Sequence, residues 1–184
     1  MNFCLLIIDV QQGLDDSKHG ERSTPEFEQN LSRIVEEFRK QDWPIIHVGH
    51  DSVERESLLR PELPGNAFKS EAVPMPSERV FRKSTASAFV NTGLDTYLSE
   101  RGLDHLILVG LTSDHCVSTT ARQGSDLGYS VSVISDATAA HEKSAWNGQN
   151  YSAEKVHFLS LATLEGEFAE IVSTNDLLTG LINE

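Results

Sequence analysis

Short, mostly apolar runs recur along the chain and predict buried strands. They cover residues 3–8, 45–48, 79–82, 106–109, 131–134 and 168–172. The first run, FCLLII, is apolar at every position rather than at alternate positions, which is typical of a parallel strand covered on both faces. The pattern therefore predicts six strands in a mainly parallel sheet.

Amphipathic segments separate these runs and predict helices. In the first of them the apolar residues recur at helical spacing: Phe27, Leu31, Ile34, Val35 and Phe38. Further helices are predicted at residues 94–98, 114–127, 153–164 and 174–182, and Gly102 and Gly128 end two of them. Strands that alternate with helices predict a three-layer α/β/α fold, here as a single domain over residues 1–184 without a repeat or a linker.

Two polar stretches interrupt this alternation. Residues 51–77 are rich in proline and lack periodicity, and loops of that length are uncommon without a functional reason. Residues 141–150 are predicted to form a loop or a lid. The first stretch is long enough to cover a site.

Charge and cysteine content indicate which kinds of partner and which cellular compartment to expect. Fifteen basic and 28 acidic residues give a formal net charge of -13, which disfavours nucleic acid and membrane surfaces and leaves a small-molecule substrate. The two cysteines do not form a spaced disulfide framework, which favours a reducing compartment. No basic leader precedes the first apolar run, and Asp9 ends that run early, so we expect a cytoplasmic protein.

Three residues with potentially reactive side chains lie at the carboxyl ends of predicted strands. Asp9 follows the first, Lys83 the third, and Cys116 lies in the first turn of the helix after the fourth. Because ligands bind at this edge of a parallel sheet, we expect the three side chains to converge. Cys116 would then act as a nucleophile, Asp9 would transfer protons, and Lys83 would supply positive charge. The unpaired N–H groups at the helix N-terminus, with Asp114 or Ser113 as N-cap, and Lys83 are expected to lower the pKa of Cys116.

At these residues the sequence resembles the isochorismatase-like cysteine hydrolases, which include nicotinamidases, N-carbamoylsarcosine amidohydrolases and isochorismatases. The resemblance runs nearly end to end and is carried by LIIDVQ at residues 6–11, VFRK at 80–83, GLTSDHCV at 110–117 followed by STTAR, and SDAT at 135–138. It implies a Rossmann-like hydrolase fold, a catalytic triad of Asp9, Lys83 and Cys116, and a homodimer or homotetramer. It also implies a cis peptide at Leu111–Thr112 and an oxyanion hole formed by the N–H groups of Thr112 and Cys116.

Differences from the family pattern bear on cofactor and substrate. Nicotinamidases of this family carry an Asp-x-His metal motif after the second strand, whereas this chain has HVGHD at residues 47–51 and no further histidine before His105. We therefore expect no metal and no other cofactor, with His50 as a polar pocket residue. Isochorismatases of the family often lack the cysteine, so Cys116 favours cleavage of a C–N bond. Other candidate pocket residues are Gln11, Leu14, Asn66, Phe89 and His115.

The sequence thus predicts a cysteine hydrolase that acts on a small amide or ureido substrate through a thioester. One alternative is a vinyl-ether hydrolase of the isochorismatase type, which would use Asp9 as an acid. Another is a protein that binds a small molecule without catalysis.

Overall fold

The computed structural model describes residues 2–183. Its strands are β1 (Phe3–Ile8), β2 (Ile45–His50), β3 (Arg79–Lys83), β4 (His105–Leu111), β5 (Ser130–Ala139), β6 (Lys143–Ser144), β7 (Asn150–Tyr151) and β8 (Glu170–Val172). Its α-helices are α1 (Phe27–Lys40), α2 (Leu94–Arg101), α3 (Cys116–Asp126), α4 (Ala153–Ala162) and α5 (Thr174–Asn183). No described helix combines the length and the apolar character needed to cross a membrane.

Six strands form one parallel sheet in the order β3-β2-β1-β4-β5-β8. This confirms the predicted α/β architecture. Strands β2 and β3 lie in turn on one side of β1, and β4 lies on its other side. The gap between the ends of β1 and β4 is therefore the topological switch point, where ligands bind in folds of this kind.

The two faces of the sheet are covered by different helices. Odd-numbered β1 residues, such as Leu5 and Ile7, pack with Phe27 and Leu31 of α1 and with Leu177 of α5. Even-numbered residues of the same strand pack against α2, α3 and α4. Burial on both faces explains why β1 is apolar at every position.

The elements differ from the sequence pattern mainly at their ends. Strand β5 continues to Ala139, through polar residues that the pattern did not assign to a strand. Residues 141–150, predicted as a loop or lid, include most of a short antiparallel hairpin of β6 and β7. The long stretch at 51–77 contains single helical turns at Pro64–Asn66 and Ser70–Ala72, so it is more ordered than its composition indicates.

One glycine is required where the sheet meets the site. Gly110 of β4 has a φ of +117°, and a Cβ at this position would lie 2.0 Å from the carbonyl oxygen of Ile8. Only glycine allows β4 to approach β1 this closely, directly beside Asp9.

Candidate active site

The ends of three strands bring Asp9, Lys83 and Cys116 together. Asp9 follows β1, Lys83 is the last residue of β3, and Cys116 begins α3 after β4. Asp9 has a φ of +49°, in the left-handed region that non-glycine residues seldom occupy. Such backbone conformations persist where the surrounding structure enforces them, commonly at functional sites.

The Lys83 ammonium is the centre of the cluster. Its Nζ lies 2.7 Å from Oδ2 of Asp9 and 3.2 Å from Sγ of Cys116. It also lies 3.1 Å from Nδ1 of His50 and 3.1 Å from the carbonyl oxygen of Thr85. The side chain of Lys83 is 0% exposed, so its charge acts on Asp9 and Cys116 from beneath the cavity floor.

Asp9 keeps one free acceptor. Its Oδ1 is buried and has no hydrogen-bond partner among residues 2–183. The carboxylate, a ring nitrogen of His50 and the sulfur of Cys116 lie within 4.8 Å of one another. Burial raises the pKa of Asp9 above its usual range, although the ion pair with Lys83 opposes this effect. A carboxylate with a raised pKa accepts a proton more readily, as a general base must.

The expectation of a low pKa at Cys116 is wrong for the site as it stands. Burial, reinforced by the charge of Asp9, raises the pKa of the Cys116 thiol to about 12. Lys83 acts in the opposite direction but is outweighed. The resting cysteine is therefore a thiol, and it needs a base to take its proton before it can attack.

The turn before Cys116 differs from the predicted helix start. The helix begins at Cys116, not at Asp114, and neither Asp114 nor Ser113 is its N-cap. The carbonyl oxygen of Thr112 accepts the N–H groups of His115 and Val117 at 3.1 and 3.2 Å, which delays the start of the helix. The peptide between Leu111 and Thr112 is cis.

Two side chains of the turn before Cys116 contact neighbouring elements. Ser113 is buried, and its hydroxyl lies 2.9 Å from Nδ1 of His157 on α4. Asp114 forms an ion pair with Lys143 at 3.2 Å, and its Oδ2 lies 3.4 Å from Nε2 of His115. The turn that precedes the cysteine is thereby fixed to α4 and to the β6–β7 hairpin.

A cavity of about 470 Å³ opens above the cluster. Asp9 and Cys116 reach its surface together with Leu14, His50 and His115, which were predicted as pocket residues. The other lining residues are His19, Ser52, Val53, Glu54, Leu59, Ser84, Thr85, Ala86, Leu111, Thr112, His141 and Lys143.

The remaining three predicted pocket residues lie elsewhere. Phe89 is buried in the core, where its ring stacks on Tyr129 at 5.7 Å. Gln11 and Asn66 lie behind the cavity wall rather than in it. Both donate hydrogen bonds to the carbonyl oxygen of His50, at 3.1 and 2.9 Å, so they support the end of β2.

Several lining residues were not predicted from the sequence. His19 and His141, whose rings are 5.3 Å apart, and Lys143 come from segments without a motif. Only their polarity beside predicted strand ends could have indicated them. Their proximity depends on long-range packing that local patterns do not encode.

The donor set of the site does not fit a metal ion. Asp9, His50 and Cys116 offer oxygen, nitrogen and sulfur atoms within 4.8 Å of one another. The Lys83 ammonium lies 2.7 to 3.2 Å from these three side chains, in the space that an ion would need. The residue two positions after Asp51, where the metal-binding motif would have a histidine, is Val53. The absence of a catalytic metal stays a prediction.

Known proteins share both the sequence and this fold. The family model for the isochorismatase domain matches residues 3–176. The isochorismatase family protein YrdC of Bacillus subtilis is 40% identical over 178 residues, which cover 97% of this chain and 95% of YrdC. A streptothricin hydrolase of Streptomyces noursei is 30% identical over 141 residues, 75% of this chain and 50% of that protein.

Solved structures agree with this assignment. A protein of the isochorismatase family from Chromobacterium violaceum superposes with a TM-score of 0.96 at 39% identity, over 100% of this chain and 95% of that one. An isochorismatase from Pseudomonas putida has a TM-score of 0.87 at 30% identity, with coverage of 95% and 89%. The sequence match, the superposition and the six-stranded parallel sheet lead to one conclusion: this chain belongs to the isochorismatase family of hydrolases.

Proposed function

We propose that this hydrolase cleaves a C–N bond of a small amide or ureido substrate and forms a thioester at Cys116 on the way. The observation that supports this most strongly is the position of one buried ammonium against both reacting groups. Lys83 Nζ is 2.7 Å from the Asp9 carboxylate and 3.2 Å from the Cys116 sulfur, directly below a cavity.

The first half of the reaction forms the acyl-enzyme. Asp9 takes the thiol proton as the sulfur attacks the carbonyl carbon, so that a C–S bond forms and the carbonyl oxygen becomes an oxyanion. The N–H groups of Thr112 and Cys116 are the proposed donors to that oxyanion, and such a donor contributes on the order of 3 kcal/mol. The oxyanion then collapses, the C–N bond breaks, and the protonated Asp9 gives its proton to the leaving amine.

The second half restores the cysteine. Asp9, again a carboxylate, removes a proton from water as the water oxygen attacks the thioester carbon. The C–S bond breaks, the sulfur regains a proton, and the carboxylic or carbamic acid leaves. Lys83 stays positively charged throughout and offsets the negative charge that moves between Asp9 and Cys116.

The walls of the cavity favour a neutral substrate with an apolar part. Leu14, Val53, Leu59, Ala86 and Leu111 supply apolar surface on several sides. Burial of such surface contributes roughly 25 cal/mol per Å² to binding before the costs of association. An aliphatic or aromatic amide fits this surface.

The charges around the cavity largely cancel. Asp9 is paired with Lys83, and Lys143 with Asp114. Glu54 is exposed at the cavity and would repel carboxylates. This arrangement disfavours a dicarboxylate vinyl ether of the isochorismate type, which needs unpaired cations.

A substrate panel tests the proposal. Neutral aliphatic and aromatic amides, N-carbamoyl amines and their carboxylate-bearing analogues are assayed for amine or ammonia release. Wild type and Cys4→Ala, whose thiol is buried away from the cavity, should turn over a neutral member of the panel. Cys116→Ala should lose about 10²-fold or more, because the nucleophile is absent.

Two outcomes would favour the alternatives. If Cys116→Ala retained most activity on an enol ether, Asp9-catalysed ether hydrolysis would replace the thioester route. If no substrate were turned over but small amides raised the melting temperature, the protein would be a binding protein.

A further inference from the structure

His50 occupies a gap that the sheet order creates. Asp9 follows β1 and Lys83 ends β3, but β2 lies between these two strands. His50 is the last residue of β2, in register with Lys83. Its side chain therefore extends from the strand that lies between the strands of the acid and the ammonium.

The ammonium has more acceptors than hydrogens. An ammonium group donates three hydrogen bonds, whereas four acceptors surround Nζ of Lys83 at 2.7 to 3.2 Å. Three of them, on Asp9, His50 and Thr85, can still accept a hydrogen bond while the sulfur of Cys116 changes from thiol to thiolate to thioester, since even a protonated Asp9 retains a carbonyl oxygen. These three can hold the ammonium in place as the sulfur becomes a stronger and then a weaker acceptor.

We propose that His50 is a positioning residue, whose Nδ1 accepts a hydrogen bond from the Lys83 ammonium and keeps that cation against the sulfur of Cys116. No hydrogen of the ammonium is then left without a partner while the charge on the sulfur changes. Without His50 the ammonium would keep only Asp9 and Thr85 as strong acceptors, because a thiol sulfur accepts hydrogen bonds weakly, and it would move toward them and away from the sulfur.

Two side chains hold the backbone of His50. Its N–H donates to Oε1 of Gln11 at 2.8 Å, and its carbonyl oxygen accepts from Gln11 and Asn66 at 3.1 and 2.9 Å. Gln11 and Asn66 are themselves 0% and 5% exposed. Two buried amide side chains thus set the position of one residue, which is the arrangement that an accurate contact with Lys83 needs.

The protonation state of the ring agrees with this role. Lys83 has no acceptor to offer, so Nδ1 must be unprotonated and the ring hydrogen must be on Nε2. Burial and the positive charge of Lys83 lower the pKa of His50, which keeps the ring neutral. The other charged or titratable groups that face it are Asp9, Asp51 and Cys116.

Two variants of nearly equal size distinguish a role of His50 as a hydrogen-bond acceptor for Lys83 from a role in packing. His50→Asn keeps an acceptor near the Nδ1 position, whereas His50→Leu fills similar space without one. The rate of alkylation of Cys116 by iodoacetamide is measured at a fixed pH by peptide mass spectrometry, with Lys83→Met as the reference for complete loss of the ammonium. Melting temperatures establish that each variant is folded.

We expect His50→Leu to slow alkylation roughly tenfold, toward the rate of Lys83→Met, because the ammonium no longer favours the thiolate. His50→Asn should stay within about twofold of wild type, since an acceptor remains. The proposal is overturned if His50→Leu alkylates at the wild-type rate, or if His50→Asn is as slow as His50→Leu.

This inference rests on the proposed function only for its effect on turnover. With a substrate in hand, kcat should fall about 10- to 100-fold in His50→Leu and recover most of that loss in His50→Asn. If no amide is hydrolysed at all, the proposed function fails, but the alkylation comparison still decides whether His50 positions Lys83.

Discussion

Replacing Asp9 with asparagine should make Cys116 more reactive toward a simple electrophile and, at the same time, abolish hydrolysis. The Asp9 carboxylate and the Cys116 sulfur lie within 4.8 Å of each other, and the carboxylate contributes to the raised pKa of the thiol. Asparagine keeps the shape of the side chain but removes its negative charge and its ability to accept a proton. The two readouts therefore move in opposite directions.

The size of the effect follows from the separation. The two groups lie within 4.8 Å of each other, and at that upper limit two unit charges interact by about 3 kcal/mol at an effective dielectric constant of roughly 20, so the pKa of the thiol should fall by at least about 2. At a pH below the pKa the thiolate fraction then rises about 100-fold, while the lower basicity makes each thiolate about 10-fold less nucleophilic. The net expectation is alkylation about 10-fold faster than in wild type.

The assay follows iodoacetamide labelling of Cys116 and hydrolysis in the same preparations. Cys4 is 0% exposed and does not line the cavity, so it serves as an internal control that should stay unlabelled. Asp104→Asn makes the same change at an exposed position next to the opposite end of β4 and should alter neither readout. Slower labelling in Asp9→Asn would contradict the electrostatic effect of Asp9 on the thiol. Hydrolysis at more than about a tenth of the wild-type rate would contradict the assignment of Asp9 as the base.

Two further predictions concern stability. Gly110→Ala should reduce the free energy of unfolding by about 3 kcal/mol or more, measured by urea denaturation, because its Cβ would lie 2.0 Å from the Ile8 carbonyl oxygen. Gly128 also has a positive φ, but a Cβ there would meet no other atom. If Gly128→Ala lost more than about 2 kcal/mol of unfolding free energy, the positive φ rather than the clash would explain the effect at Gly110. Burial lowers the pKa of His47 despite its contact with Glu78, so in acid the unfolded chain binds more protons than the folded one. The melting temperature should therefore decrease as the pH is lowered below about 6.5. His47→Gln should flatten that fall, and an unchanged slope would remove His47 as its cause.

The sheet could be predicted because its strands carry local signals. Continuous apolar runs such as FCLLII mark strands buried on both faces, and their alternation with helical patterns implies a parallel sheet. Strand β5 was underestimated because Asp136, a polar residue within it, gave no strand signal. Its carboxylate accepts the N–H and hydroxyl of Thr174 at 2.8 and 2.7 Å, contacts across 38 positions that the sequence pattern does not contain.

The clustering of the three candidate residues was predictable, but the electrostatics of the cluster were not. Asp9, Lys83 and Cys116 were found because strand ends share one edge of the sheet. The direction of the shift in the pKa of Cys116 was wrong, since it depends on burial and on the distance to Asp9, which only the three-dimensional arrangement gives. The roles of Gln11 and Asn66 were missed for the same reason. The oligomeric state and the cytoplasmic location stay predictions.

Acylation of Cys116 can be detected by trapping the adduct. The protein is mixed with p-nitrophenyl acetate, quenched in acid, and analysed by intact-protein and peptide mass spectrometry, with and without hydroxylamine. We expect an acetyl group on Cys116 that hydroxylamine removes, that Cys116→Ala lacks, and that persists longer in Asp9→Asn because water is no longer activated. Rapid release of p-nitrophenol by Cys116→Ala, or an adduct that maps to another residue, would show that Cys116 is not the nucleophile.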